Sequence, residues 1–154
     1  MPKIDKSTAP RGEGTRYPAP FDVPCQKRSW HRLGDAAELT QFGVNLLRLS
    51  PGAWSSQRHW HMHEDEFVYV LDGEVVLVTD AGEEIMRAGD CAGFKAGVRD
   101  GHCLQNRSTH DAQILIVGSR SDEDHVGYPD IDMVLMPGRY SGRGGFRRKD
   151  GSVF

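Results

Sequence analysis

From Phe42 to Ser119 the chain is a succession of short apolar runs cut by glycine, proline and aspartate. Residues 43–49 read as a strand that ends at the turn triplet Ser50-Pro51-Gly52. Residues 54–61 form the next, followed by the acidic loop Glu64-Asp65 and a run over 66–71. Asp72-Gly73, with apolar residues on both sides, has the composition of a tight hairpin and makes 74–79 the returning strand. Further short strands are predicted over 83–86, 91–94, 102–106 and 111–119, with Asp80-Ala81-Gly82 and Arg87-Ala88-Gly89-Asp90 as turns. Strands of this length and spacing indicate an all-β sandwich or barrel. Residues 30–33 can add a first strand and 34–39 a single helical turn, and no longer helical period or internal repeat is present.

The faces of these strands carry more information than their number. Side chains alternate along a strand, so Glu66, Val68 and Val70 share one face while Phe67, Tyr69 and Leu71 share the other. Ile114 and Ile116 oppose Leu115 and Val117 in the same way. Strands apolar on both faces are buried on both faces. A small barrel has only one interior, so its outer face needs a cover: another sheet of the chain, the N-terminal arm, or a second copy. A homodimer is the expectation.

Residues 1–29 are rich in Pro, Lys, Arg, Gly and Ser and are expected to form an extended arm, with Tyr17 and Phe21 as aromatics that can dock on the domain or on a neighbour. Residues 30–136 make the β-barrel domain. Within it, 122–132 is polar and proline-broken, as befits an excursion over the barrel. Residues 137–154 form a basic, glycine-rich tail, read as a solvated or packed terminus in preference to a nucleic-acid contact.

A length of 154 residues suits one barrel with a full core. Charged residues make up 27 %, and no apolar run is long enough for a membrane helix. Met1-Pro2-Lys3-Ile4-Asp5-Lys6 lacks the apolar stretch of a secretory signal. Cys25, Cys91 and Cys103 are odd in number and lack a C-x-x-C spacing, which fits reduced core thiols and a cytoplasmic setting. A net charge of −3 does not point to nucleic acid.

The chemistry concentrates in Arg58-His59-Trp60-His61-Met62-His63-Glu64-Asp65-Glu66, which holds three of the seven histidines. On a strand His59 and His61 point the same way, about 7 Å apart along the backbone. Two imidazoles so placed form a jaw for a metal ion, and Glu66 can close one side. His63 is in phase with the pair and competes with Glu66, but it sits where the strand gives way to the loop. His102, at the start of a strand-like run after Gly97 and Gly101, is the best fourth ligand. His31, His110 and His125 read as ordinary surface or core residues. Zinc, iron, manganese and nickel all accept imidazole with carboxylate. Tyr69 and Glu74 are acid–base groups by type, and Arg48 or Arg58 can hold an anion, though all four are as readily surface residues.

At these residues the chain resembles the cupins, which have a double-stranded β-helix or jelly roll fold. Gly52, His59-Trp60-His61, Glu66 and Gly73 match the first cupin motif, with one extra residue after Gly52. Gly89, Lys95-Ala96-Gly97, His102 and Asn106 match the second, with Lys95 in place of the usual proline and a long gap before His102. The two motifs span roughly 42–118. The resemblance implies a mononuclear site of His59, His61, Glu66 and His102 holding one divalent transition metal, and it is closest to small single-domain bacterial cupins. It implies an enzyme on a small oxygen-rich metabolite, of isomerase, lyase or dioxygenase type. The alternatives are a non-catalytic small-molecule binding or sensing module, and a structural cupin with adventitious metal.

Overall fold

In the computed structural model, which describes residues 3–154, the chain is almost entirely β. In order it forms β1 (Arg11–Glu13), β2 (Arg28–Arg32), the short helix α1 (Leu33–Ala36), β3 (Phe42–Leu49), β4 (Trp60–His61), β5 (Glu66–Asp72), β6 (Glu74–Thr79) and β7 (Gly82–Arg87). Then come β8 (Cys91–Phe94), β9 (Cys103–Gln105), β10 (Ala112–Ser119), β11 (Val126–Gly127), β12 (Val134–Leu135) and β13 (Phe146–Arg147). They build a six-stranded sheet in the order β1-β2-β3-β10-β5-β8, a three-stranded sheet β7-β6-β9, and a small sheet β13-β12-β11-β4. The arrangement is that of a jelly roll.

The interior follows the alternation of the two central strands. Ile114 pairs with Val70 and Ile116 with Val68. Val68, Val70 and Ile114 are buried together with Leu47, Leu49, Val75 and Leu77. The opposite face of the large sheet is left open: Phe67, Tyr69 and Leu71 are 41 %, 37 % and 45 % exposed.

Two expectations are corrected. Asp72-Gly73 does not close a hairpin, because β5 pairs with β10 and β8 while β6 pairs with β7 and β9. The chain instead turns a corner between two sheets at Gly73. There φ is +79°, and a Cβ would lie 2.7 Å from the carbonyl oxygen of Asp111. Residues 54–61 are not one strand. Regular pairing survives only at Trp60–His61, with isolated bridges from Trp54 to Gln105 and from His59 to His102. Between them polar side chains compete with the ladder: Ser56 Oγ lies 3.2 Å from His59 Nδ1, and Gln57 Nε2 donates to the Phe21 carbonyl.

The arm is more than extended chain. It contributes β1, and Tyr17 packs edge-on against Tyr128 and Phe146 at 5.7 and 5.4 Å. Its first two residues, Met1 and Pro2, lie outside the described residues. The excursion over 122–132 and the tail supply β11, β12 and β13. These add to β4, the strand that carries His61, and form a second cluster around Val126, Tyr128 and Met133.

Candidate metal centre

The cross-strand bridge between His59 and His102 sets the site. The two backbones exchange hydrogen bonds of 3.1 and 2.9 Å, so their rings stand side by side at 4.7 Å. His61 lies one alternation further on, with its ring 5.0 Å from that of His59. Glu66, at the start of β5, reaches all three. Its Oε2 lies 3.8 Å from His59 Nε2, 3.6 Å from His61 Nε2 and 3.8 Å from His102 Nε2. All four residues inferred from the sequence therefore meet, and each histidine presents the same nitrogen.

The other ring nitrogens explain why. His59 Nδ1 lies 3.1 Å from the Gln57 carbonyl oxygen, an acceptor, which fixes the proton on Nδ1 and leaves Nε2 with its lone pair inward. His61 Nδ1 donates to Asp124 Oδ2 at 2.6 Å, and Asp124 is held in turn by the His63 amide at 2.9 Å. A carboxylate behind a histidine that keeps the far nitrogen free is the support expected of a metal ligand. His102 is 3 % exposed, stacks on Phe94 at 3.5 Å, and finds no hydrogen-bond partner for either ring nitrogen among the described residues. A buried imidazole without partners is costly in a purely structural role. A cation among the three Nε2 atoms and Glu66 resolves it, so the residues present fit a divalent metal.

The electrostatics follow from burial and charge. Burial pushes the His59 imidazole down to about 4, so it is neutral, as a ligand must be. Burial also opposes charge on His61, but Asp124 and Glu66 outweigh it and raise this group to about 9. Burial would raise the Glu66 carboxyl; the imidazoles of His102, His59 and His61 facing it hold it well below the usual range.

His61, Glu64 and Asp124 form a second cluster of ligand atoms, but it is closed. Glu64 is 4 % exposed. It ion-pairs with Arg139, accepts from the Tyr140 hydroxyl at 2.9 Å and from the Ser121 amide at 2.8 Å. A metal there would face the Arg139 guanidinium. The remaining histidines lie outside the centre, and His63 is exposed. Tyr69 is on the open outer face, and Glu74 pairs with Arg87. Arg58 is held between Asp80 and Asp130, and Arg48 by Asp111.

A cavity of about 780 Å³ opens onto His61 and Glu66, and its wall carries five arginines: Arg16, Arg28, Arg32, Arg120 and Arg139. Sequence reasoning missed Asp124, Glu64, Arg139 and Tyr140. Asp124 sits in the acidic run Asp122-Glu123-Asp124-His125, whose composition reads as surface. Only the two-residue pairing of β11 with β4 turns it inward.

The profile of the cupin domain family matches residues 45–118. The whole chain is similar to a crystal structure from Silicibacter pomeroyi DSS-3, described as a sugar phosphate isomerase from a cupin superfamily. Identity is 48 % over 99 % of this chain and 96 % of that one, with a TM-score of 0.93. A protein from Acidithiobacillus ferrooxidans, provisionally described as a sugar phosphate isomerase, is 32 % identical over 79 % of this chain and 76 % of its own, with a TM-score of 0.72. The polyketide cyclase of Streptomyces resistomycificus, at 20 % identity over 77 % and 79 %, shares the fold with a TM-score of 0.63. No curated protein matches the chain.

Proposed function

Because this chain belongs to the cupin superfamily, we propose that it is a metal-dependent enzyme acting on a small oxygen-rich metabolite, and that its reaction is the isomerisation of a phosphorylated sugar. The observation that carries this reading is the convergence of three imidazole Nε2 atoms on one Glu66 oxygen at the wall of an arginine-lined cavity. The description of the Silicibacter pomeroyi relative, similar over its whole length, supports the substrate class.

One zinc, iron, manganese or nickel ion held by His59, His61, Glu66 and His102 supplies Lewis acidity and a template for adjacent carbonyl and hydroxyl oxygens. The chain's own residues must move the proton. Isomerising a sugar takes a proton from the carbon beside a carbonyl and returns one to its neighbour, so that carbonyl and hydroxyl exchange places with no net oxidation. Of the carboxylates on the cavity wall besides Glu66, Glu13 pairs with Arg11, Asp35 with Arg120 and Glu64 with Arg139. Asp65 is the one without an ion pair among the described residues: Oδ1 accepts the Ala96 amide, and Oδ2 has no partner there. We assign Asp65 as the proton acceptor. The commitment of the other three acids favours one second reading, a module that binds the same class of ligand without turnover.

The test is elemental analysis of untagged protein beside a His102→Ala variant, followed by NMR of phosphorylated aldoses and ketoses mixed with the loaded protein. About one equivalent of a single transition metal, lost in the variant, is expected. Absence of metal after anaerobic loading would overturn the centre. Binding without interconversion in the parent and in Asp65→Asn alike would select the binding module.

We further propose a cytoplasmic homodimer. The three cysteines are free thiols. The open face of the large sheet has an apolar middle, where Phe67 and Val44 flank Val117, and Tyr69 and Leu46 flank Leu115. Such a face is complementary to itself across a two-fold axis. Light scattering is expected to give twice the 17.2 kDa chain mass, and Tyr69→Lys to return the monomer. A parent that scatters as a monomer overturns this.

A further inference from the structure

The five arginines on the cavity wall are not equivalent. Arg139 is neutralised by Glu64, and Arg32 and Arg120 share Asp35. Arg16 and Arg28 have no carboxylate within ion-pair distance among the described residues. Arg16 is exposed and makes no hydrogen bond there at all.

Arg28 is half-buried and held in one pose. Its Nε donates to the Gly14 carbonyl at 2.8 Å, and Nη1 donates to the Ser55 carbonyl. Its guanidinium lies over the rings of Trp30 and Tyr17 at 5.2 and 5.9 Å. That leaves Nη2, with two N–H donors, free. Holding a cation this firmly without a counter-ion is unfavourable for the empty protein. It is the arrangement that offers an anion a fixed, charge-assisted donor at low entropic cost.

We propose that Arg28, with Arg16 beside it, is the anion subsite of the cavity and takes the phosphate group of the substrate. This rests on the phosphorylated-sugar reading above and gives it a direction. Tyr17 lies 5.7 Å from Tyr128, and Tyr128 lies 6.0 Å from His59. Two aromatic rings thus separate the guanidinium from the histidines. Arg28, His61 and Glu66 line the same cavity, so a phosphorylated sugar with its phosphate at the arm would present its carbonyl end toward Glu66 and His61. The arm becomes part of the site: β1 and Arg16 precede the barrel in sequence, yet they wall the cavity.

The experiment is calorimetric titration of the full chain with inorganic phosphate, fructose 6-phosphate and fructose, with metal content measured on the same preparations. Arg28→Met is expected to weaken fructose 6-phosphate about tenfold, the loss of one charge-assisted contact. Arg16→Ala should weaken it by a few-fold. Fructose itself should be unaffected, as should all ligands in Arg107→Ala, which removes an exposed arginine paired with Glu83. Should circular dichroism show Arg28→Met unfolded, Arg28→Lys keeps the charge, loses the fork, and must still weaken fructose 6-phosphate. Arginine variants that bind as tightly as the parent overturn the subsite, as does a parent that prefers fructose 6-phosphate no more than fructose. The failures are separable. Full metal content with arginine-independent binding removes only the subsite. Arginine-dependent phosphate binding in a chain that takes up no metal removes only the metal reading.

Discussion

Glu64 and Glu66 stand two residues apart, and both carboxylates are drawn inside, with side chains 5 % and 17 % exposed. Their surroundings differ in kind. Glu64 meets a guanidinium, a hydroxyl and a backbone amide, so its charge and lone pairs are answered by the chain itself. Glu66 meets three imidazoles through a single oxygen, and the charge it faces there depends on where protons sit. Residue type does not separate a strut from a candidate ligand here; the degree of internal satisfaction does. The same contrast divides Arg139, which is neutralised, from Arg28, which is not.

Substituting each glutamate by glutamine breaks the comparison most sharply. Glu66→Gln is expected to lose bound metal entirely while the barrel keeps its melting temperature within a few degrees. Glu64→Gln should do the reverse. It keeps the metal but strands the largely buried Arg139 without a counter-charge, at a cost of roughly 3 kcal/mol. For a domain of this size that lowers Tm by roughly 5–10 °C. Metal analysis and thermal melting of the two variants side by side decide the matter. Loss of metal in both would mean that Glu64 takes part in the centre.

Asp124 tests the boundary between the two environments, because it belongs to the tail-side cluster but orients His61, a proposed ligand. Burial would raise its carboxyl; the His61 hydrogen bond and the His63 amide hold it below the ordinary value. Asp124→Asn keeps the shape but can present a donor to Nδ1 and so favour the wrong His61 tautomer. Metal affinity is expected to fall about 10–100-fold with the fold intact. An unchanged affinity in competition with a chelator would show that His61 needs no orienting partner.

How much of this was legible in the sequence follows the same division. The jaw was readable because strand alternation is a local rule: His59, His61 and Glu66 face inward together, as do Val68 and Val70. His102 was readable from its place at the head of a β-prone run and from the resemblance to the second cupin motif. The tail-side cluster was not, because Asp124, Arg139 and Tyr140 owe their placement to β11–β13. Those strands are two residues long, with no room for a period, and are held by pairing with chain distant in sequence. The corner at Gly73 failed for a related reason. Asp-Gly specifies a sharp turn, but whether the outgoing strand pairs with the incoming one depends on β9 and β10, which claim those edges.

The smallest effect concerns the anchor that lets the tail reach Glu64. Asp122 Oδ1 accepts the amides of Tyr140 and Ser141, and Oδ2 faces Arg143 at 3.2 Å. Hydrogen bonding to Ser141, with the Tyr140 amide and Arg143 adding to it, lowers the Asp122 carboxyl from 3.8 to about 2. A folded-state value below the unfolded one means that the anchor stabilises above the unfolded value and is lost as pH falls through the folded one. The docked tail should therefore be intact at pH 5 and loosen between 3.8 and about 2. The amide signals of Tyr140 and Ser141 report this in an NMR titration, against Asp122→Asn as the control that cannot titrate. Signals that move at the same pH in both chains would place the acid-sensitive group elsewhere. Glu64, with Arg139 to answer it, would then hold the tail without Asp122.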